Sequence, residues 1–115
     1  MSLLNSKFEK FDAHSLKLDE ADIQLYLAEI SGWQVVEASG IETLSCSFRT
    51  KKYSLSLAFT NKIAALAESV NHHPVITLEY ASVQVVWWSH EMKGLHKNDF
   101  IMAAKTSQLF NELAE

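Results

Sequence analysis

The pattern that decides the fold is residues 53–74, YSLSLAFTNKIAALAESVNHHP, which contain no glycine and end on the only proline of the chain. Apolar residues recur here at steps of four, four, three and four, the spacing of one helix face. They are Leu55, Phe59, Ile63, Leu66 and Val70. The helix must end near His73, because Pro74 favours extended geometry in the residue before it. The sequence therefore predicts a long helix with His72 and His73 at its C-terminal end.

Pairs of strands are predicted on both sides of this helix, because apolar and polar residues alternate there. The predicted strands are Trp33–Glu37, Ile41–Thr50, Val75–Tyr80 and Val83–Trp88. The turns expected within the two pairs are Ser39-Gly40 and Ala81-Ser82. In the last strand Trp87 and Trp88 have opposite parity, so one belongs in the core and the other is available to a partner subunit.

Shorter helices are predicted at both ends of this arrangement. The first has Asp19 as its N-cap and stops at Ser31-Gly32, and the last runs from about Asn98 to Leu113. The order is helix, two strands, helix, two strands, helix, and short turns make paired strands antiparallel. We therefore expect an α+β domain, with a four-stranded antiparallel sheet and three helices on one of its faces.

Length and composition fit a single globular domain. The chain has 115 residues, of which 48% are hydrophobic and 21% charged. Residues 1–15 sustain no period and are expected to form a loosely ordered N-terminal arm before a domain over residues 16–115.

The net charge and the cysteine content limit the binding partners and the cellular compartment that we expect for this protein. A net charge of −4 supplies no basic surface for a phosphate backbone, and no apolar run is long enough for a signal peptide or a membrane span. The single cysteine, Cys46, fits a reducing compartment. We expect a cytoplasmic protein with no nucleic-acid or membrane partner.

Histidines dominate the residues that could carry chemistry. His72 and His73 follow the long helix, His90 follows the last strand, and Asp99 opens the last helix. Imidazole transfers protons near neutral pH, and a carboxylate can fix its tautomer. These residues could equally be a polar helix stop and a surface loop.

A metal site is the less favoured reading of the same histidines. The adjacent pair lacks the i, i+4 spacing of helical zinc motifs, and Cys46 is the only thiol. No glycine-rich phosphate loop is present either, so we expect neither a metal nor an organic cofactor.

The histidines belong to a longer pattern of residues at fixed spacings that resembles a known family signature. It reads Glu68, three residues, His72-His73-Pro74, five residues, Tyr80, nine residues, His90, eight residues, Asp99. This pattern resembles the signature of the pterin-4a-carbinolamine dehydratase family, and the resemblance extends over about residues 16–113. It implies the same α+β fold and a homodimer or homotetramer. It also implies dehydration of 4a-hydroxytetrahydropterin to quinonoid dihydropterin without a cofactor, which recycles the pterin of aromatic amino acid hydroxylases.

The resemblance also implies a role for each residue of the site. His72 would protonate the departing hydroxyl, His90 would be a second acid or base, and His73 would bind and orient the pterin beside the catalytic pair. Asp99 would hold an imidazole in its productive tautomer. Two substrate contacts stay open: Trp33 is either a stacking wall or a core aromatic, and Glu68 either a contact or a solvated residue.

Two further points follow from the resemblance. His96 stands where relatives often have a capping serine, so either a cap is lost, at a cost of about 0.5–2 kcal/mol, or a second imidazole competes for Asp99. Some relatives act without catalysis, as dimerisation cofactors of a transcription factor that bind through the long helix. A non-catalytic dimerisation or transcriptional cofactor is therefore the alternative function.

Overall fold

The computed structural model describes residues 3–9 and 17–113 of the chain. Its helices and strands follow the predicted order. They are α1 (Glu20–Leu27), β1 (Gln34–Ala38), β2 (Ile41–Arg49), α2 (Tyr53–Val70), β3 (Val75–Glu79), β4 (Ser82–Trp87) and α3 (Lys97–Asn111). A short 3-10 helix, His90–Met92, lies between β4 and α3.

The four strands form one antiparallel sheet in the order β1-β2-β4-β3. One face of the sheet packs against the helices, and side chains from both layers form a single core. The sheet contributes Leu44, Phe48, Val83, Val85 and Trp87, and the helices contribute Ile23, Phe59, Ile63, Ala67, Phe100 and Ile101 among others. The predicted two-layer α+β fold is confirmed.

The two hairpin turns differ in how well the sequence predicted them. Ser39 and Gly40 both have positive φ, 52° and 80°, which is the pattern of a type I′ turn, and they join β1 to β2 as expected. The second turn is Tyr80-Ala81, one residue earlier than predicted, because Glu79 pairs directly with Ser82. Ala and Ser carry no strong turn signal, so the pattern alone left this register open.

The tandem tryptophans are now assigned to opposite faces of the sheet. Trp87 is fully buried beneath the helices and pairs with Leu44 across the β2–β4 ladder. Trp88 points to the other face and lines an apolar hollow there with Val75 and Val86. The core tryptophan is therefore Trp87.

The first helix is shorter than the sequence predicted, because it ends before the expected stop at Ser31-Gly32. Asp19 caps it as predicted, accepting a hydrogen bond from the backbone N–H of Asp22 at 2.9 Å. The helix ends at Leu27, and Ile30 reaches the core from the turn that follows. Gly32 has φ of +90°, the left-handed conformation expected for the predicted stop.

Of the N-terminal arm expected over residues 1–15, the structure describes residues 3–9, and this segment packs against the domain. Leu3 is buried, and its N–H donates to a carboxylate oxygen of Glu29. The carbonyl of Leu4 accepts a hydrogen bond from Lys105. Residues 1–2 and 10–15 of the expected arm lie outside the described residues.

Candidate active site

A cavity of about 290 Å³ lies where α2 ends and where the chain leaves β4. It is lined by Asn71, His72, His73, His90 and Glu91. The three histidines that the sequence singled out therefore share one hollow, although they come from two distant parts of the chain. Imidazoles that line one hollow can act on the same small substrate, as proton transfer requires.

The end of α2 sets the position of His72. Asn71 adopts the left-handed conformation, with φ of 53°, just beyond the last helical residue. The N–H of Asn71 bonds to the carbonyl of Glu68 and the N–H of His72 to that of Ala67, which together form a Schellman motif. His72 is thereby turned inward, while Pro74 directly precedes β3, which begins at Val75.

Asp99 is fully buried in the first turn of α3 and is surrounded by donors. Its Oδ1 lies 2.7 Å from Nε2 of His72, and its Oδ2 accepts from the hydroxyl of Ser89 at 2.7 Å. The backbone N–H of His96 donates to Oδ2 as well, at 3.0 Å. A carboxylate can only accept, so Nε2 of His72 carries the proton in this contact.

Aromatic rings surround the His72 imidazole, whose side chain is only 3% exposed. Trp87 stacks on it, with ring centroids 5.7 Å apart and planes at 17°. Phe8, from the N-terminal segment, is a second ring neighbour, with centroids 5.4 Å apart and planes at 51°. His72 is thus held by one carboxylate and two rings.

The other two histidines are exposed and held more loosely. Nε2 of His73 lies 2.6 Å from Oε1 of Glu68, one turn back on α2, and both side chains are largely in solvent. The His90 ring stacks on Trp88, with centroids 4.4 Å apart. The cavity therefore combines one fixed imidazole with two that can adjust to a ligand.

The structure decides the first of the two alternatives for His96, the loss of a cap. Its ring is the N-cap of α3, because Nδ1 accepts a hydrogen bond from the backbone N–H of Asn98 at 2.9 Å. The expected loss of a cap is therefore wrong: an imidazole nitrogen replaces the hydroxyl. Burial lowers the pKa of His96 from its ordinary value of 6.5, opposed by the charges of Glu9 and Asp99.

Trp33 does not take the position suggested for a stacking wall. It is buried in the core, its indole N–H donates to the hydroxyl of Ser107, and its ring meets Phe48 edge-on. The alternative of a core aromatic is the one that the structure supports. Glu68 contacts His73, which lines the cavity, and most of the Glu68 side chain is in solvent.

Sequence reasoning missed three residues around His72. Trp87 ends β4 and Ser89 lies two residues beyond it, and alternation alone could place Trp87 inside but not against an imidazole. Phe8 lies in a segment without period and carried no signal at all. Each contact depends on how distant elements pack together.

Two further properties concern only the residues that the structure describes, 3–9 and 17–113. No group of three or more His, Cys, Asp or Glu side chains is arranged to hold a metal ion within them. In the same ranges, no helix has both the length and the apolar character needed to cross a membrane.

Comparison with known sequences gives a consistent result. The family model described as "Pterin 4 alpha carbinolamine dehydratase" matches residues 16–109. A protein of Saccharophagus degradans is 48% identical over 99 residues, covering 86% of this chain and 86% of its own length. One of Photobacterium profundum is 52% identical over 92 residues, covering 80% and 82%. Both are named "Putative pterin-4-alpha-carbinolamine dehydratase".

Solved structures share the fold. A transcriptional coactivator/pterin dehydratase from Brucella melitensis superposes with a TM-score of 0.75 at 31% identity, over 81% of this chain and 97% of that one. A pterin dehydratase-like protein identified as a RuBisCO assembly factor in the alpha-carboxysome gives a TM-score of 0.60 at 22% identity, over 69% and 89%. The second likeness concerns the fold alone.

Proposed function

The chain belongs to the pterin-4a-carbinolamine dehydratase family, and we propose that it converts 4a-hydroxytetrahydropterin to quinonoid dihydropterin and water by histidine acid–base catalysis. In this role it would recycle the pterin of aromatic amino acid hydroxylases in the cytoplasm. The carbon–oxygen bond at C4a breaks, the departing hydroxyl gains a proton, and a ring nitrogen loses one. Dehydration changes no oxidation state, so the reaction requires only proton transfer.

His72 is the proposed acid for the hydroxyl that leaves C4a. Its contact with Asp99 fixes the tautomer and the orientation of the ring, as the carboxylate does in other histidine–aspartate pairs. The hydroxyl of Ser89 and the N–H of His96 keep that carboxylate in place from the opposite side. Asp99 is therefore a positioning residue, and His72 is the group that exchanges the proton.

His90 and His73 are proposed to complete the site from the solvent side. His90 lines the same cavity and can accept the proton of the ring nitrogen. His73 would orient the pterin, with Glu68 holding its imidazole at 2.6 Å. Each well-placed acid or base contributes about 10²–10⁴-fold, so a small site of imidazoles is sufficient for a substrate that is already reactive.

The observation that carries this proposal is the shared cavity of three imidazoles, one of them bound to a buried carboxylate. The test is the rate at which purified protein removes 4a-hydroxytetrahydropterin. We expect clear acceleration, and a loss of about 10²-fold or more in kcat for His72→Ala and for His90→Ala. Glu37→Gln, an exposed carboxylate on β1, is the matched control. No acceleration by the wild type would refute the enzyme proposal, and full activity in both variants would refute the roles.

The alternative is a non-catalytic dimerisation or transcriptional cofactor that binds through α2. Two apolar side chains, Tyr53 and Leu57, are exposed on that helix, at 46% and 43%. The similar protein from Brucella melitensis is described as a transcriptional coactivator as well as a pterin dehydratase. An inactive protein whose association is abolished by Leu57→Lys would favour this function over catalysis.

A further inference from the structure

The N-terminal segment of residues 3–9 lies outside the part of the chain that the family model matches, residues 16–109. It nevertheless reaches one residue of the candidate site, because Phe8 contacts the ring of His72. The known features of the site do not explain why this segment is held so firmly.

Both ends of the segment are anchored. At its start, Leu3 is buried and Leu4 accepts a hydrogen bond from Lys105 of α3 at 2.9 Å. At its end, the N–H of Glu9 donates to Oδ1 of Asn98, and Nδ2 of Asn98 donates to the carbonyl of Glu9, both at 2.7 Å.

The second anchor is attached to the same helical turn as the site. Asn98 is fully buried and directly precedes Asp99, the carboxylate that holds His72. Its amide matches the donor and acceptor of one backbone residue, so it specifies where Glu9 lies and hence where Phe8 lies. The position of Phe8 and the position of Asp99 are therefore both tied to the first turn of α3, and both residues contact the His72 imidazole.

From these contacts we propose that residues 3–9 are a docked cover over the His72 imidazole and that Phe8 is a positioning residue for His72. The Phe8 ring keeps water from one side of an imidazole that Trp87 already covers elsewhere. A ring held on several sides has fewer orientations to lose when it meets the substrate. The positioning role of Phe8 rests on the proposed dehydratase activity. The docking of residues 3–9 over His72 does not depend on that activity.

The test combines a chemical probe with kinetics. Diethyl pyrocarbonate modifies accessible imidazoles, and mass spectrometry gives the rate at His72 relative to His90, which is exposed in the same protein. Phe8→Ala should raise that ratio several-fold. Phe8→Leu keeps an apolar cover and should raise it less, and Lys7→Ala, an exposed neighbour, should leave it unchanged.

The kinetic expectation separates positioning from a general loss of structure. Phe8→Ala should lower kcat by about tenfold with little change in KM, within the range that a misplaced catalytic group produces. The circular dichroism spectrum should match the wild type.

The outcomes distinguish this inference from the proposed function. An unchanged modification ratio in Phe8→Ala refutes the cover, whatever the activity. A raised ratio with unchanged kcat refutes the positioning role. If the wild type does not act on 4a-hydroxytetrahydropterin, the proposed function and the positioning role both fail, and a raised ratio still supports the cover.

Discussion

Asp99 is the residue on which the arrangement of the site depends most. It is fully buried, yet His72, Ser89 and the backbone of His96 all bond to it. A buried carboxylate is stable only when it is bonded in this way, since an unpaired one would carry a large desolvation cost. The three contacts tie α2, the end of β4 and the start of α3 to a single side chain.

Replacing that carboxylate by an amide tests its role without changing its size. In Asp99→Asn the side chain has one acceptor oxygen in place of two, so it cannot satisfy His72 and both other donors. We expect kcat to fall by about 10²-fold or more, with a changed nitrogen chemical shift for the His72 ring. Asp22→Asn, an exposed carboxylate in the first turn of α1, is the control. Wild-type kinetics in Asp99→Asn would contradict the positioning role.

At the scale of the element, the C-terminus of α2 decides where the paired histidines point. Asn71 is the residue that allows the turn, because asparagine tolerates the left-handed conformation better than most residues. Without that conformation the Schellman bonds from Asn71 and His72 could not both form.

The backbone at this helix end can be tested with a pair of variants. Asn71→Ala should lower the free energy of unfolding by about 1–2 kcal/mol, since alanine is strained in the left-handed region, and should reduce kcat. Asn71→Gly should keep the stability, because glycine adopts positive φ freely. Chemical denaturation and the dehydration assay measure both effects. Equal stability of the two variants would show that the conformation of residue 71 is unimportant.

The N-terminus of α3 has a pH-dependent cap. Nδ1 of His96 accepts from Asn98 only while that nitrogen is unprotonated, and burial lowers the pKa of His96 from 6.5. The unfolded chain therefore takes up the proton more readily than the folded one. The stabilisation from His96 is complete above pH 6.5 and is lost as the pH falls through the lower folded pKa.

A cap that does not titrate should remove this part of the pH dependence. His96→Asn supplies an amide oxygen as acceptor, so its stability should match that of the wild type near pH 8. Between about pH 7 and pH 5 it should lose less stability than the wild type does. Thermal unfolding across this range, with His73→Asn as a control for an exposed histidine, measures the difference. Parallel pH profiles for His96→Asn and the wild type would contradict the capping mechanism.

At the scale of the whole molecule, no strand pairs with either outer edge of the sheet and no helix covers one of its faces, as far as residues 3–9 and 17–113 are concerned. β1 and β3 are the edge strands, and Val36 and Val75 are exposed on the side away from the helices. Unpaired strand edges tend to associate, and self-association of identical chains is usually symmetric.

We therefore expect the homodimer or homotetramer that the family resemblance implies. Light scattering should give a mass of two or four times 13.0 kDa across the concentrations used for the assay. The mass should fall towards one chain only on extensive dilution, because association follows mass action. A single-chain mass at every concentration would contradict this prediction and leave the edge strands to another partner.

Much of the fold could be predicted from the sequence, because each helix or strand produces a periodic pattern of apolar residues along the chain. The step of three and four in residues 53–70, the alternation in β2 and the turn at Ser39-Gly40 each predicted their element correctly. The turn at Tyr80-Ala81 was placed one residue late, since neither residue is specific to a turn.

The sequence by itself determined the order of helices and strands, which follows from spacing along the chain, and the family, through the resemblance of its histidine pattern to a known signature. Only the tertiary structure decided that Trp33 is core, that Trp87 and Ser89 meet the His72–Asp99 pair, and that Phe8 joins them. The physical reason is that a period shows which face of an element is apolar, but not which distant face it meets. Contacts between distant elements are determined by packing of the whole core, in which all buried hydrogen-bond donors and aromatic rings must have suitable neighbours in the same structure.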